Sequence, residues 1–140
     1  MRGGLFFCLF YLFISVQLSF GGISWSGNVE PSDPRVWDSG TIAYIGDYYN
    51  GVMTVDGGSD VWANRYFLGF EPDCNGVVNV SGAESYLDYL LRIEIGVSGN
   101  GSLNITDGGM VNSRAVNRDD FLGENFGSTG KVTVTGPNSI

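Results

Sequence analysis

Histidine is absent from the 140-residue chain and basic residues are scarce, 7 Lys plus Arg against 15 Asp plus Glu, for a formal net charge of −8. Without an imidazole there is no base for a Ser-His-Asp triad and no ligand for most zinc sites, so those chemistries are excluded. A surface this acidic repels a phosphate backbone, and nucleic acid is not an expected partner. Cysteine is almost as rare, with only Cys8 and Cys74. Glycine runs the other way, at 22 residues, more than twice the average usage of about 7%. With no period of three to indicate collagen, that excess predicts many tight turns.

The N-terminus is a separate object. MRGGLFFCLFYLFISVQLSF places Arg2 before an apolar run from Leu5 to Val16, with Ser19, Gly21 and Gly22 as small residues where a peptidase would cut. Residues 1–21 therefore read as a secretory signal peptide, helical over its apolar part, which directs the chain outside the cell or to its surface. The run is short for the roughly 20 apolar residues of a spanning helix, so no stable membrane span is expected once the leader is cut; an uncleaved signal anchor is the other reading. Cleavage removes Cys8 and Arg2, lowering the basic count from 7 to 6 while all 15 acids remain. Cys74, in the loop-like EPDCNG, then has no partner for an internal disulfide. It reads as an incidental residue, with an intermolecular link or reactive thiol as the sharper alternative.

GVMTVDGG at residue 51 returns as GVVNVSGA from Gly76, GSLNITDG from Gly101 and GKVTVTGP from Gly130. A phrase used four times is a building unit, since one active site needs one copy of its groups. Aligned on those glycines, the third residues are Met53, Val78, Leu103 and Val132, and the fifth are Val55, Val80, Ile105 and Val134. Polar columns alternate with them: Thr54, Asn79, Asn104 and Thr133, then Asp56, Ser81, Thr106 and Thr135. Period two, β-branched residues and a closing turn predict a short strand with one buried face. Val52 and Val77 break the pattern where Ser102 and Lys131 keep it, so the outer face is not uniformly polar.

A second anchor precedes each strand: Ile45-Gly46, Leu68-Gly69, Ile95-Gly96 and Leu122-Gly123, led in three cases by Tyr44, Phe67 and Phe121. Spacings are 23, 27 and 27 residues between the anchor glycines and 25, 25 and 29 between the strand glycines. That period is too short for propeller blades and lacks the leucine pattern of leucine-rich repeats. It fits one coil of a parallel β-solenoid. A lone strand with one apolar face leaves its backbone groups unpaired, and a second coil about 4.8 Å along the axis pairs them and stacks like side chains on like. The predicted architecture is all-β, a parallel β-helix of about four coils (near 42–65, 66–90, 91–117 and 118–140), with an entry or capping segment at 22–41.

The set of Ile-Gly, a short gap, and Gly-x-apolar-x-Val closing on Thr, Ser or Asp resembles the repeats of autotransporter-type passenger regions and related exported bacterial β-helix proteins. The resemblance runs from about Ile42 to Ile140, and SWSGNVEPSDPRVWDSGTIAYIG resembles the entry into such repeats, where Trp25 and Trp37 would close the first coil. It implies a passenger-like surface or adhesion module. No translocating barrel or sorting segment accompanies it, so autotransport itself is not implied. The last strand ends in GPNSI without an atypical polar repeat, which reads either as part of a longer repeat array or as an open coil that pairs with another chain.

Two function classes follow. The first is a non-catalytic exported surface or extracellular repeat protein, an acidic rod with no catalytic residue, no cofactor and no metal, whose partner is a carbohydrate, a cell-surface molecule or a second copy of itself. The second is a carbohydrate-active β-helix enzyme, for which Asp119 and Asp120, beside Arg118 and Glu124, are the candidate carboxylates. The bland reading of that cluster is a solvated loop. DGGSD at 56–60 has the composition of a calcium corner but occurs once, unlike tandem nonapeptide repeats. Among the aromatics, Tyr48 and Tyr49 in a corner loop are the candidate carbohydrate contacts, against corner packing. Asn79 and Asn104 match glycosylation acceptors but lie inside predicted strands, where an Asn ladder is the better reading.

Overall fold

The computed structural model describes residues 21–114, 116 and 118–140, so the leader reading falls almost entirely outside the described residues. The chain forms a β-solenoid with two sheets. Strands β1 (Ile23–Gly27) and β2 (Val29–Glu30) precede a single 3-10 turn at Pro34–Val36. Then come β3 (Ile42–Ile45), β4 (Gly51–Val55), β5 (Asp60–Leu68), β6 (Asn75–Ser81), β7 (Tyr86–Ile95) and β8 (Asn100–Thr106). The last elements are β9 (Met110–Ser113), β10 (Phe121–Leu122) and β11 (Thr129–Thr135). The first sheet runs β1-β4-β6-β8-β11 and the second runs β2-β3-β5-β7, with β9 and β10 both on β7.

Each of the first three coils contributes one strand to each sheet, and the repeated phrases stack in register. Gly51 pairs with Gly76, Gly76 with Gly101 and Gly101 with Gly130, all in parallel. The inner columns Met53/Val78/Leu103/Val132 and Val55/Val80/Ile105/Val134 are thereby superposed, as period-two alternation requires. Their members in β4, β6 and β8 are buried, each contributing roughly 1.5–3 kcal/mol of apolar burial. The anchors Ile45, Leu68, Ile95 and Leu122 are partners too, but as the ends of second-sheet strands, which in the middle coils are 9 and 10 residues long. Ala43, Val61, Ala63, Tyr66, Leu87, Tyr89 and Ile93 fill the space between the sheets.

The glycines build the corner between sheets. Gly46, Gly69, Gly96 and Gly123 all have φ between +64° and +77°, the left-handed region open to glycine. Each also donates its N–H across coils or to the cap, as in Gly69 N–H to the Ile45 carbonyl at 2.9 Å and Gly96 N–H to the Leu68 carbonyl at 2.7 Å. The strand glycine of the next phrase sits against that hydrogen bond with no room for a Cβ, which is why both glycines recur. On the outer face the polar columns form ladders: Asn104 Nδ2 donates to Asn79 Oδ1 at 2.9 Å and Thr106 Oγ1 to Ser81 Oγ at 3.0 Å. A second ladder, Asn50/Asn75/Asn100, occupies the residue before each glycine; Asn75 Nδ2 donates to Asn50 Oδ1 at 2.9 Å and Asn100 Nδ2 to Asn75 Oδ1 at 3.2 Å.

Residues 22–41 cap the first coil, and do so antiparallel. β1 lies on β4 with Ile23 opposite Val55 and Trp25 opposite Met53, and β2 lies on β3 with Val29 opposite Ile45. An antiparallel turn-back terminates the ladder and covers an edge that would otherwise invite pairing. Trp25 packs partly buried on the core, whereas Trp37 is buried, its Nε1 donating to the Pro31 carbonyl at 2.9 Å and its ring 6.1 Å from that of Tyr66. At the other end, among the described residues, β11 pairs with β8 alone, and Val132 and Val134 are 44% and 50% exposed.

Candidate functional site

The sequence cluster Arg118, Asp119, Asp120 and Glu124 brackets β10. In the fourth coil the second-sheet strand is split into β9 and β10, and Arg118, Asp119 and Asp120 lie outside both strands. Asp120 is tied back into the coil below, its carboxylate accepting from Tyr89 Oη at 2.6 Å and from the Ile93 N–H at 2.9 Å. Burial, and after it the bond to Asp120, pushes the Tyr89 hydroxyl up to about 12. Asp119 takes a different direction and lines an outer-face cavity of about 250 Å³ with Arg65, Leu91, Arg92, Arg118 and Phe121. Glu124 meets Glu94. The four charges that adjoin in sequence thus serve three separate environments.

Glu94 is the functional residue that sequence reasoning missed. It occupies the position that Tyr44, Phe67 and Phe121 hold in their coils, so a carboxyl interrupts an outer aromatic column and is only 3% exposed. The signal was present: Glu94 is the one non-aromatic residue ahead of the four anchors. Burial is the main cause that pushes its carboxyl from 4.5 up to about 7, followed by the hydrogen bond and repulsion from Glu124, while Arg92 and Arg65 oppose the rise. Arg92 Nε lies 2.5 Å from Glu94 Oε1, but the two atoms are not aligned as a hydrogen bond, and burial outweighs the ion pair.

A pH dependence follows. The folded chain holds a proton on Glu94 up to about pH 7 that the unfolded chain gives up near 4.5. The resulting stability is fully present below the unfolded value and is lost as pH rises through the folded one. Melting temperature will therefore fall between pH 4.5 and 7, and Glu94→Gln will flatten that part of the profile in thermal melts. An unchanged slope in the variant would place the dependence on other groups.

Tyr48 and Tyr49 are 69% and 77% exposed at the corner between β3 and β4. Tyr44, Phe67 and Phe70 instead pack on one another on the outer face, Tyr44 stacked on Phe67 at 5.0 Å and Phe70 edge-on to both. Trp62 is covered by the Arg114 guanidinium at 4.3 Å, which also pairs with Asp88 at 3.3 Å. DGGSD forms the corner from the first sheet to the second, where Asp56 Oδ1 accepts from the Gly22 N–H at 2.7 Å; among the described residues no three potential ligands gather for a metal. Cys74 is buried, and burial with Asp47, Glu71 and Asp73 nearby raises its thiol pKa, which lowers its reactivity.

No family model, curated protein or solved structure matches the chain. The arrangement supports its own description: a coil-stacked outer face on which charged and aromatic side chains from successive coils meet, with one cavity rimmed by arginines.

Proposed function

We propose that the chain is a non-catalytic exported repeat protein of the cell surface or extracellular space, an acidic rod that spaces or adheres in the manner of a passenger-type β-helix. The observation that supports this best is the fate of Asp120. Both of its carboxylate oxygens are occupied by Tyr89 and Ile93, so the leading carboxylate of the enzyme reading serves to fasten the fourth coil to the third. The leader-like segment at 1–21 and the repeat resemblance support export and a bacterial surface setting. Fusing residues 1–21 to a reporter that is active only after export tests the location: reporter activity outside the cytoplasm with cleavage near Gly21 is expected, and reporter retained inside would contradict it.

One observation favours the carbohydrate-active enzyme as a second reading. Glu94 and Glu124 project together from neighbouring coils, and a carboxyl held up to about 7 has the character of a general acid. A panel of acidic and neutral polysaccharides separates the readings. Turnover that vanishes in Glu94→Gln, or in the Asp119→Ala, Asp120→Ala double variant, would establish the enzyme; no turnover by the parent chain is expected here.

Self-association belongs to the same proposal. β11 is an edge strand with Val132 and Val134 half exposed, and a second copy adding there would bury both. Light scattering is expected to show concentration-dependent dimers that Val132→Lys abolishes.

A further inference from the structure

The basic residues of the described chain are few, and their placement is uneven. Arg65, Arg92 and Arg118 all border the cavity of about 250 Å³ on the outer face of the second sheet, in a chain whose net charge is −8. Arg65 and Arg92 are direct register partners, so two guanidinium-bearing residues stand opposite each other on one face. Like charges in that relation are destabilising unless an anion compensates them. Glu94 answers Arg92, and Asp119 lies on the rim near Arg118. Arg65 makes no close ion pair with any described residue, its charge being met only through space by Glu94, and its buried Nε has no hydrogen-bond partner. The rest of the wall is apolar, from Leu91 and from Phe121, whose ring carries the Arg92 guanidinium at 5.6 Å and fixes its orientation.

The geometry points to an anion-binding cleft in which Arg65 and Arg118 hold the carboxylate of an acidic sugar while the apolar wall of Phe121 and Leu91 packs against the sugar ring. Guanidinium forks match a planar carboxylate through paired charge-assisted hydrogen bonds. The cavity is smaller than the roughly 300–1,000 Å³ that enclose a drug-sized molecule, so it takes one charged unit of a longer glycan with the chain continuing outside. The apolar wall of Leu91 and Phe121 beside the arginines gives a sugar ring a face to pack on, which bare phosphate lacks, and so favours the sugar acid over a phosphate. The inference rests on the surface-protein reading only for the ligand being a glycan held without being cut.

Titration of the full chain by calorimetry tests it with four probes: a hexuronate trisaccharide, its neutral hexose counterpart, inorganic phosphate and an N-acetylated glutamate peptide. The uronate is expected to bind and the neutral sugar not. Arg118→Gln, on an exposed residue outside the ladder, and Arg65→Gln will each weaken binding about tenfold or more, as loss of a charge-assisted hydrogen bond predicts. Asp119→Asn will tighten it severalfold, a gain that a merely structural role would not produce. Circular dichroism melts confirm that each variant is folded, and should Arg65→Gln not fold, Arg118→Gln and Asp119→Asn decide the matter. Undetectable uronate binding at millimolar concentration, equal or tighter binding of phosphate or the peptide, or unaltered affinity in Arg118→Gln would each overturn the inference. Uronate that binds and is then cleaved would leave the site standing and remove the non-catalytic reading.

Discussion

Gly76→Ala is expected to destabilise the chain by at least about 3 kcal/mol, more than its single added methyl would cost at an ordinary site. The Cβ would stand against the Ile45 carbonyl oxygen, the Gly69 N–H and the Leu68 carbonyl carbon at once. Ile45 and Gly69 are the two ends of a hydrogen bond between coils, 2.9 Å long, so the methyl enters a space that the backbone already fills. Backbone cannot rotate away as a side chain does, and relief requires opening the corner and the registered pairs on either side. Gly101 stands in the same relation to Leu68 and Gly96, and Gly130 to Ile95 and Gly123, so the effect belongs to the repeat and not to one site. Denaturant unfolding of Gly76→Ala and of Gly127→Ala measures the contrast. Gly127 has open space where a Cβ would go, and its cost arises only from a φ of +85°.

Leu68→Ala is expected to cost about 2–5 kcal/mol, whereas Leu122→Ala, two coils further along the same column, will cost well under 1 kcal/mol. The two residues are equivalent by register through Ile95, yet Leu68 is fully buried and Leu122 is 57% exposed. A coil with neighbours on both sides buries its inner residues; the outermost coil buries them on one side only. Equal costs in chemical denaturation would mean that the last coil is covered in solution, by a second copy or another partner.

The strand core was legible because its signal is periodic and local: Met53, Val78, Leu103 and Val132 hold the same place in each repeated phrase, and the structure stacks them in that order. The parallel β-solenoid, its coil count and the Asn79/Asn104 ladder followed from the same alignment. The second sheet was harder to see. Its long strands β5 and β7 carry a register shift between Ala63 and Arg65, one residue on β5 facing two on β7, and such a bulge shifts the alternation that marks a strand. The antiparallel direction of β1 and β2 was not legible either, since strand direction leaves no mark on a five-residue segment. The Arg65/Arg92 pairing and the Glu94/Glu124 contact join residues 27 and 30 positions apart, and they emerge only once the coil length and the bulge are both known.

Cross-linking across coils tests the central claim, that the repeats stack in parallel with equivalent residues in register. In a Cys8→Ser, Cys74→Ser background, Asn79→Cys with Asn104→Cys places two thiols on paired residues of β6 and β8, about 4.8 Å apart at Cα, within the range of a disulfide. Asn79→Cys with Ser102→Cys displaces one partner by two residues along the same face, to roughly 8 Å, beyond that range. The account predicts rapid oxidation to an intramolecular disulfide in the first pair and none in the second. Cross-linking of the displaced pair in preference to the aligned one, or of neither, would contradict it.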